Sequence, residues 1–199
     1  MRISRITSDI CFQHNKAYWL SREHTMMGSK DDIDFWCDRL LNNLRYFEHL
    51  ITRCADEKNY YKHRLYWMMD HMIVANPIWS RIYHKELLSI FIDCNDMSVV
   101  RSVTRAILVN PMVYIHEPYF LDRCASLCVD RSIPVAVRCN ALTLFTQGVV
   151  HIPELAGELE WMLGLMGEEN SPAIRARIRM SVSLLKKSKQ RVNNKSFEL

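Results

Sequence analysis

An arginine returns every 37 residues in this chain: Arg64, Arg101, Arg138 and Arg175. Each stands in a comparable segment, NYYKHRLYWMM, NDMSVVRSVTRAIL, RSIPVAVRCNALTLF and ENSPAIRARIRMSVSLL. Self-similarity at a fixed spacing of this length is what a stacked helical repeat leaves in a sequence, because each unit must offer the same faces to its neighbours. The period also limits what can be read about function. Residues that recur in phase are committed to stacking, and only the surface is left for partners.

The rest of the composition agrees with helices. A chain of 199 residues can bury a real core and suits a single domain. Only 5 Gly and 6 Pro leave few tight turns, which argues against an all-β fold. No apolar run approaches bilayer length, and the start MRISRITSDICFQH lacks the apolar stretch of a secretory signal. A cytoplasmic protein with no membrane partner is expected. The 7 Cys are odd in number and sit among apolar neighbours, as reduced core thiols do. Cys124 and Cys128 share a helix face, but a zinc site needs four ligands and nothing completes the set, so no metal is expected.

Local signals divide the chain into a 1–30 extension, a 31–56 capping helix, repeats over 60–188 and a basic 189–199 tail that can be disordered. Asp31 and Asp32 suit the positive end of a helix, and Trp36, Leu40, Leu44, Phe47, Ile51 and Cys54 then form one apolar stripe. Each repeat reads as two helices. The first carries the arginine, over about 60–75, 98–109, 134–147 and 172–188; the second runs over about 79–93, 118–129 and 153–166. Asn76-Pro77 and Asn110-Pro111 stop helices, since the residue before proline is pushed out of the helical region. Gly148 is placed as a C-cap, and Ser98, Ser132 and Ser171 near N-caps.

The openings DMSVVRSVTRAIL, SIPVAVRCNALTLF and SPAIRARIRMSVSLL resemble the Asp/Ser-Pro-x-Val-Arg start of HEAT-like repeats, over roughly residues 60–190. The resemblance implies an all-α superhelix of about three and a half helix-pair repeats with an N-terminal capping helix. It also implies that Arg64, Arg101, Arg138 and Arg175 form a ladder tying adjacent repeats, through an acid near the preceding turn. Asp96 and Asp130 occupy such places, and the fourth repeat offers Glu168 or Glu169. The first repeat departs from the pattern, with His63-Arg64 in place of an aliphatic-Arg pair.

Catalytic motifs are missing: there is no glycine-rich phosphate loop, no G-x-S-x-G and no H-E-x-x-H. Neither catalytic residues nor a cofactor are assigned. The leading expectation is a non-enzymatic interaction module for a protein partner, with the second helices lining the binding face as the resemblance implies. Arg81, His84, Lys85, Tyr119, Arg123, Glu158 and Trp161 are its candidate residues. The alternative is a nucleic-acid-binding or DNA-repair protein of the HEAT-like alkylpurine glycosylase type, making weak non-specific contacts through Lys186, Lys187, Lys189 and Arg191. That groove needs cations from several repeats on one face. Here residues 172–199 carry a net +7 and the remaining chain −3, so the protein-binding expectation leads. A small-molecule enzyme built near Trp67 and His71 is the third possibility, and it would need a pocket there.

Overall fold

The structure is a computed structural model that describes residues 29–40, 44–54 and 62–196. Most of the expected 1–30 extension lies outside these, as do Tyr60 and Tyr61 at the start of the expected 60–75 helix. Among the described residues there are ten α-helices, two short 3-10 turns and no strand. The chain divides into two compact units, residues 1–76 and 77–199. The boundary falls at Asn76–Pro77, between the two helices expected for the first repeat.

The first unit holds α1 (Lys30–Leu40), α2 (Leu44–Cys54) and α3 (Lys62–Ala75), with α1 and α2 both packed on α3. The expected 31–56 helix is described over Lys30–Leu40 and Leu44–Cys54, and residues 41–43 lie outside the described residues. Helix α1 begins where Ser29 and Asp32 cap each other. The Asp32 carboxylate accepts the Ser29 N–H at 3.0 Å, and the Asp32 N–H donates to Ser29 Oγ at 3.2 Å. Ile33, Cys37, Phe47, Leu50 and Cys54 close over Leu65, Met68, Met69, Met72 and Ile73, all buried. Methionine fills such irregular gaps well.

The second unit runs α4 (Ile78–Ile82), α5 (His84–Asp93), α6 (Met97–Leu108), α7 (Phe120–Val129), α8 (Val135–His151), α9 (Ala156–Leu165) and α10 (Pro172–Ser196). Helices α6, α8 and α10 pack side by side as one layer, and α5, α7 and α9 as the other. Across the layers α5 pairs with α6, α7 with α8, and α8 with α9. This is the helix-pair stack that the 37-residue period predicts. First helices start at Lys62, Met97, Val135 and Pro172, so the four arginines stand third, fifth, fourth and fourth in their helices. The layer of first helices is stitched by polar contacts at similar separations. Asn140 Nδ2 donates to Thr104 Oγ1 at 3.1 Å, and the Thr146 and Ser181 hydroxyls lie 2.8 Å apart.

Some boundaries differ from the sequence reading for physical reasons. Gly148 does not cap α8, which continues to His151. A Cβ on Gly148 would sit 2.8 Å from a Leu121 methyl, so the glycine marks where α7 lies closest to α8. Asp96, not Ser98, caps α6 by accepting the Ser98 N–H at 3.0 Å. The expected tail from residue 189 continues α10 as helix through Ser196.

Candidate interaction site

The four ladder arginines have different surroundings. Arg138 is buried; its Nε donates to the Cys128 carbonyl at 2.9 Å and its Nη1 to Glu169 Oε2 at 2.6 Å. It therefore clasps the end of α7 to the turn before α10. The guanidinium, hydrogen-bonded to Glu169, holds that carboxyl below the usual carboxylate range. Asp130, the acid expected for this role, instead takes the Ser132 N–H at 2.8 Å and its hydroxyl at 2.7 Å. Arg101 and Arg175 lie exposed, and Arg64 is half-buried on α3. Helix α6 buries Val100, Val103, Thr104 and Ile107, which leaves Ser98, Arg101 and Arg105 on its opposite side. Arg138 has the end of the preceding helix and an acid from the following turn against its guanidinium. Of the expected inter-repeat ties, the one at Arg138 is thus described in full.

The candidate binding residues fall into three groups. Arg81, His84, Lys85 and Tyr119 gather where α5 and α7 begin. His84 Nδ1 lies 3.2 Å from the Arg81 carbonyl, and its Nε2 is 3.9 Å from Glu117 Oε1. Its ring meets Tyr114 edge-on at 6.5 Å. Tyr114 is buried and donates its hydroxyl to the Ser80 carbonyl at 2.6 Å; burial pushes its pKa up to about 12. Phe120 stacks between Tyr114 and Phe91, with ring centroids 5.8 and 5.3 Å away. This aromatic core fixes the turn that ends at Tyr119.

Tyr119 itself is 73% exposed and has φ 61°, the left-handed conformation that disfavours any residue with a Cβ. Glu158 and Trp161 form the second group, on α9 beside α7, and Trp161 is 62% exposed. Arg123 is the third. It turns inward, and its Nη2 donates to the Cys94 carbonyl at 3.1 Å, joining α7 to the end of α5. Its side chain is half-buried.

Cys124 and Cys128 lie in the core, where burial pushes both thiols up. Tyr66 and Trp79 are buried, while the Trp67 and His71 rings meet edge-on at 5.6 Å. His71 donates Nδ1–H to the Trp67 carbonyl at 2.9 Å and lies 3.0 Å from Asp70 Oδ1. Lys186 and Lys187 are exposed on α10, which also carries Lys189 and Arg191.

One property of the surface escapes a reading by chain position. Helices α6, α8 and α10 contain no Asp or Glu at all. The second helices α5, α7 and α9 hold Glu86, Asp93, Asp122, Glu158 and Glu160 against Lys85 and Arg123. Within the second unit charge is sorted by layer: α6, α8 and α10 carry cations without acids, and α5, α7 and α9 are together net acidic.

The sequence model of the HEAT repeat domain matches residues 21–186, and the chain belongs to that family. HEAT repeats are helical-repeat scaffolds that commonly mediate protein interactions. No curated protein and no solved structure matches the chain. No helix among the described residues is long and apolar enough to cross a membrane.

Proposed function

We propose that the protein is a cytoplasmic, non-catalytic scaffold that docks a protein partner on its second-helix layer. The observation that carries this reading is Tyr119. A left-handed backbone costs a residue with a side chain about 1–2 kcal/mol, and the structure keeps a bulky aromatic there with its ring in solvent. Strain of that kind at an exposed side chain points to use by a partner. Trp161 on the neighbouring helix supplies a second aromatic, and Trp and Tyr are the residues that most often anchor protein interfaces. Arg81, His84, Lys85 and Glu158 form the charged rim.

The test is binding of the partner isolated with the full-length chain from its native host. Trp161→Ala is expected to weaken that complex about tenfold while leaving the thermal midpoint in place, because the removed ring is exposed. Tyr119→Asn is expected to weaken binding similarly and to raise stability slightly, since asparagine tolerates the left-handed region. An affinity unchanged in both variants would sink the reading.

The nucleic-acid alternative gains the cationic first-helix layer but loses continuity. Between Arg101 and Arg105 on α6 and the cations of α10, the half-exposed positions of α8 carry no charge: Ala136, Asn140, Thr143, Gln147 and Val150. Phosphate contacts from Lys186, Lys187, Lys189, Arg191 and Lys195 would give a log–log salt slope of at most about −4.5 on duplex DNA, at ~0.9 per contact. Truncation after Leu185 is expected to abolish such binding and to leave the thermal midpoint nearly unchanged. Tight DNA binding that survives truncation would promote the repair alternative.

A further inference from the structure

We propose that the outer face of the first-helix layer, centred on Met180 and Leu184, docks an amphipathic helix of a protein partner with acidic residues along its flanks. This face is separate from Tyr119 and Trp161, and the inference does not depend on them. It starts from the 37-residue period. Helix α8 shows solvent a half-exposed stripe of Asn140, Thr143, Gln147 and Val150. Thirty-seven residues later the same positions in α10 are Arg177, Met180, Leu184 and Lys187. The uncharged polar pair Thr143 and Gln147 has become an apolar pair one turn apart, with a cation one turn before and one turn after.

Met180 is 54% exposed and Leu184 40%, although α10 already buries Ile174, Ser181 and Leu185 on another side. These two are therefore not needed for packing against α8. Scattered surface hydrophobics are ordinary, but here two share a helix face and sit inside a cationic frame. Arg177 and Lys187 flank them on that side, and helices α6, α8 and α10 contain no acid to neutralise this frame.

The charge and shape together select the occupant. An amphipathic helix places leucine-like anchors at i and i+3 or i+4, matching the spacing of Met180 and Leu184, and acidic flanks meet Arg177 and Lys187. A nucleic acid would use the cations but gain nothing from an aliphatic pair, and the described part of α10 offers no aromatic for base stacking.

The full-length protein is titrated into a fluorescein-labelled 15-residue helical peptide with a leucine face and glutamate flanks, read by anisotropy. Saturable binding is expected. It should weaken at least about tenfold with the lysine-flanked peptide, and equally in the Met180→Glu/Leu184→Glu variant. Both residues are exposed, so circular dichroism and the melting midpoint should match the parent. If that variant does not fold, Arg177→Glu/Lys187→Glu reads the same face through charge alone. Binding no tighter than a scrambled peptide, or untouched by both double variants, overturns the proposal. Retention of the variant's loss for duplex DNA or phosphatidylserine vesicles, but not for the peptide, also overturns it and hands the face to that ligand. Self-association abolished by Met180→Glu/Leu184→Glu would overturn it in favour of a second copy.

Discussion

Arg138→Ala is expected to lower the stability of the protein by about 2–4 kcal/mol, a larger loss than alanine at Arg101 or Arg175 of the 37-residue series. The magnitude follows from what the side chain leaves behind. The Cys128 carbonyl loses its 2.9 Å donor in the core, Glu169 loses its cation, and the buried methylenes leave a void between α7 and α10. Arg101→Ala and Arg175→Ala remove exposed groups and should each fall within about 0.5 kcal/mol of the parent. Urea unfolding of the three variants checks this directly, and equal midpoints for all three would refute the central clasp. The pH dependence supplies an independent sign. Glu169 is held below its ordinary carboxylate range in the folded state, so its contribution is present above that range and is lost as pH falls through it. In Arg138→Ala the carboxyl loses the hydrogen bond that lowers it. The acid limb of the stability curve should therefore flatten in the variant; a limb as steep as the parent's would show that the ion pair is not the coupled group.

The contrast among the four arginines shows what a period can and cannot reveal. Spacing reports equivalent places along helices, and all four arginines have them. It does not report what covers each place. Arg138 is enclosed because α10 and the turn at Glu169 fold over it, and the acid comes 31 residues after the arginine instead of from the turn before. Asp130, nearer in sequence, was drawn to the free N–H and hydroxyl of Ser132, a short-range partner that always competes with a distant one. Proline positions were legible because their effect is local: α3 ends at Ala75 and α6 at Leu108, just ahead of Asn76-Pro77 and Asn110-Pro111. Gly148 was misread because a glycine near a helix end has two uses, and only the contact with Leu121 decides between them.

The surface was less legible than the stack. Two candidates, Tyr119 and Trp161, are exposed aromatics, but nothing in the residue string announces a left-handed backbone at a tyrosine. Arg123 looked equivalent to its charged neighbours and faces the Cys94 carbonyl instead. Net charge summed along the chain set a basic end against an acidic body and hid the sorting by layer. Assigning charges to first and second helices exposes it, since the acids of α5, α7 and α9 alternate in sequence with helices that have none. The same alignment would have found the change from Thr143 and Gln147 to Met180 and Leu184. Those signals lie in the sequence, one level above the motifs.

Phe120→Ala is expected to be the most damaging single change near the proposed docking face, at about 3–5 kcal/mol, the range for truncating a buried aromatic. The ring is wholly buried, with Phe91 5.3 Å away on one side and Tyr114 5.8 Å away on the other. Its loss opens a cavity where α5 meets α7 and loosens Tyr114, whose hydroxyl holds the Ser80 carbonyl of α4. The adjacent Tyr119 owes its left-handed backbone to this fixed turn, so the strained residue can relax once its anchor is gone. Stability and partner binding should therefore fall together in Phe120→Ala, whereas Trp161→Ala should weaken binding alone. Phe120→Leu, which keeps most of the volume, should recover most of both. Calorimetry paired with partner titration across the three variants separates the two effects at temperatures where each variant is folded. Full partner affinity in folded Phe120→Ala would show that the aromatic core does not position Tyr119 for binding, and would confine the docking face to α9.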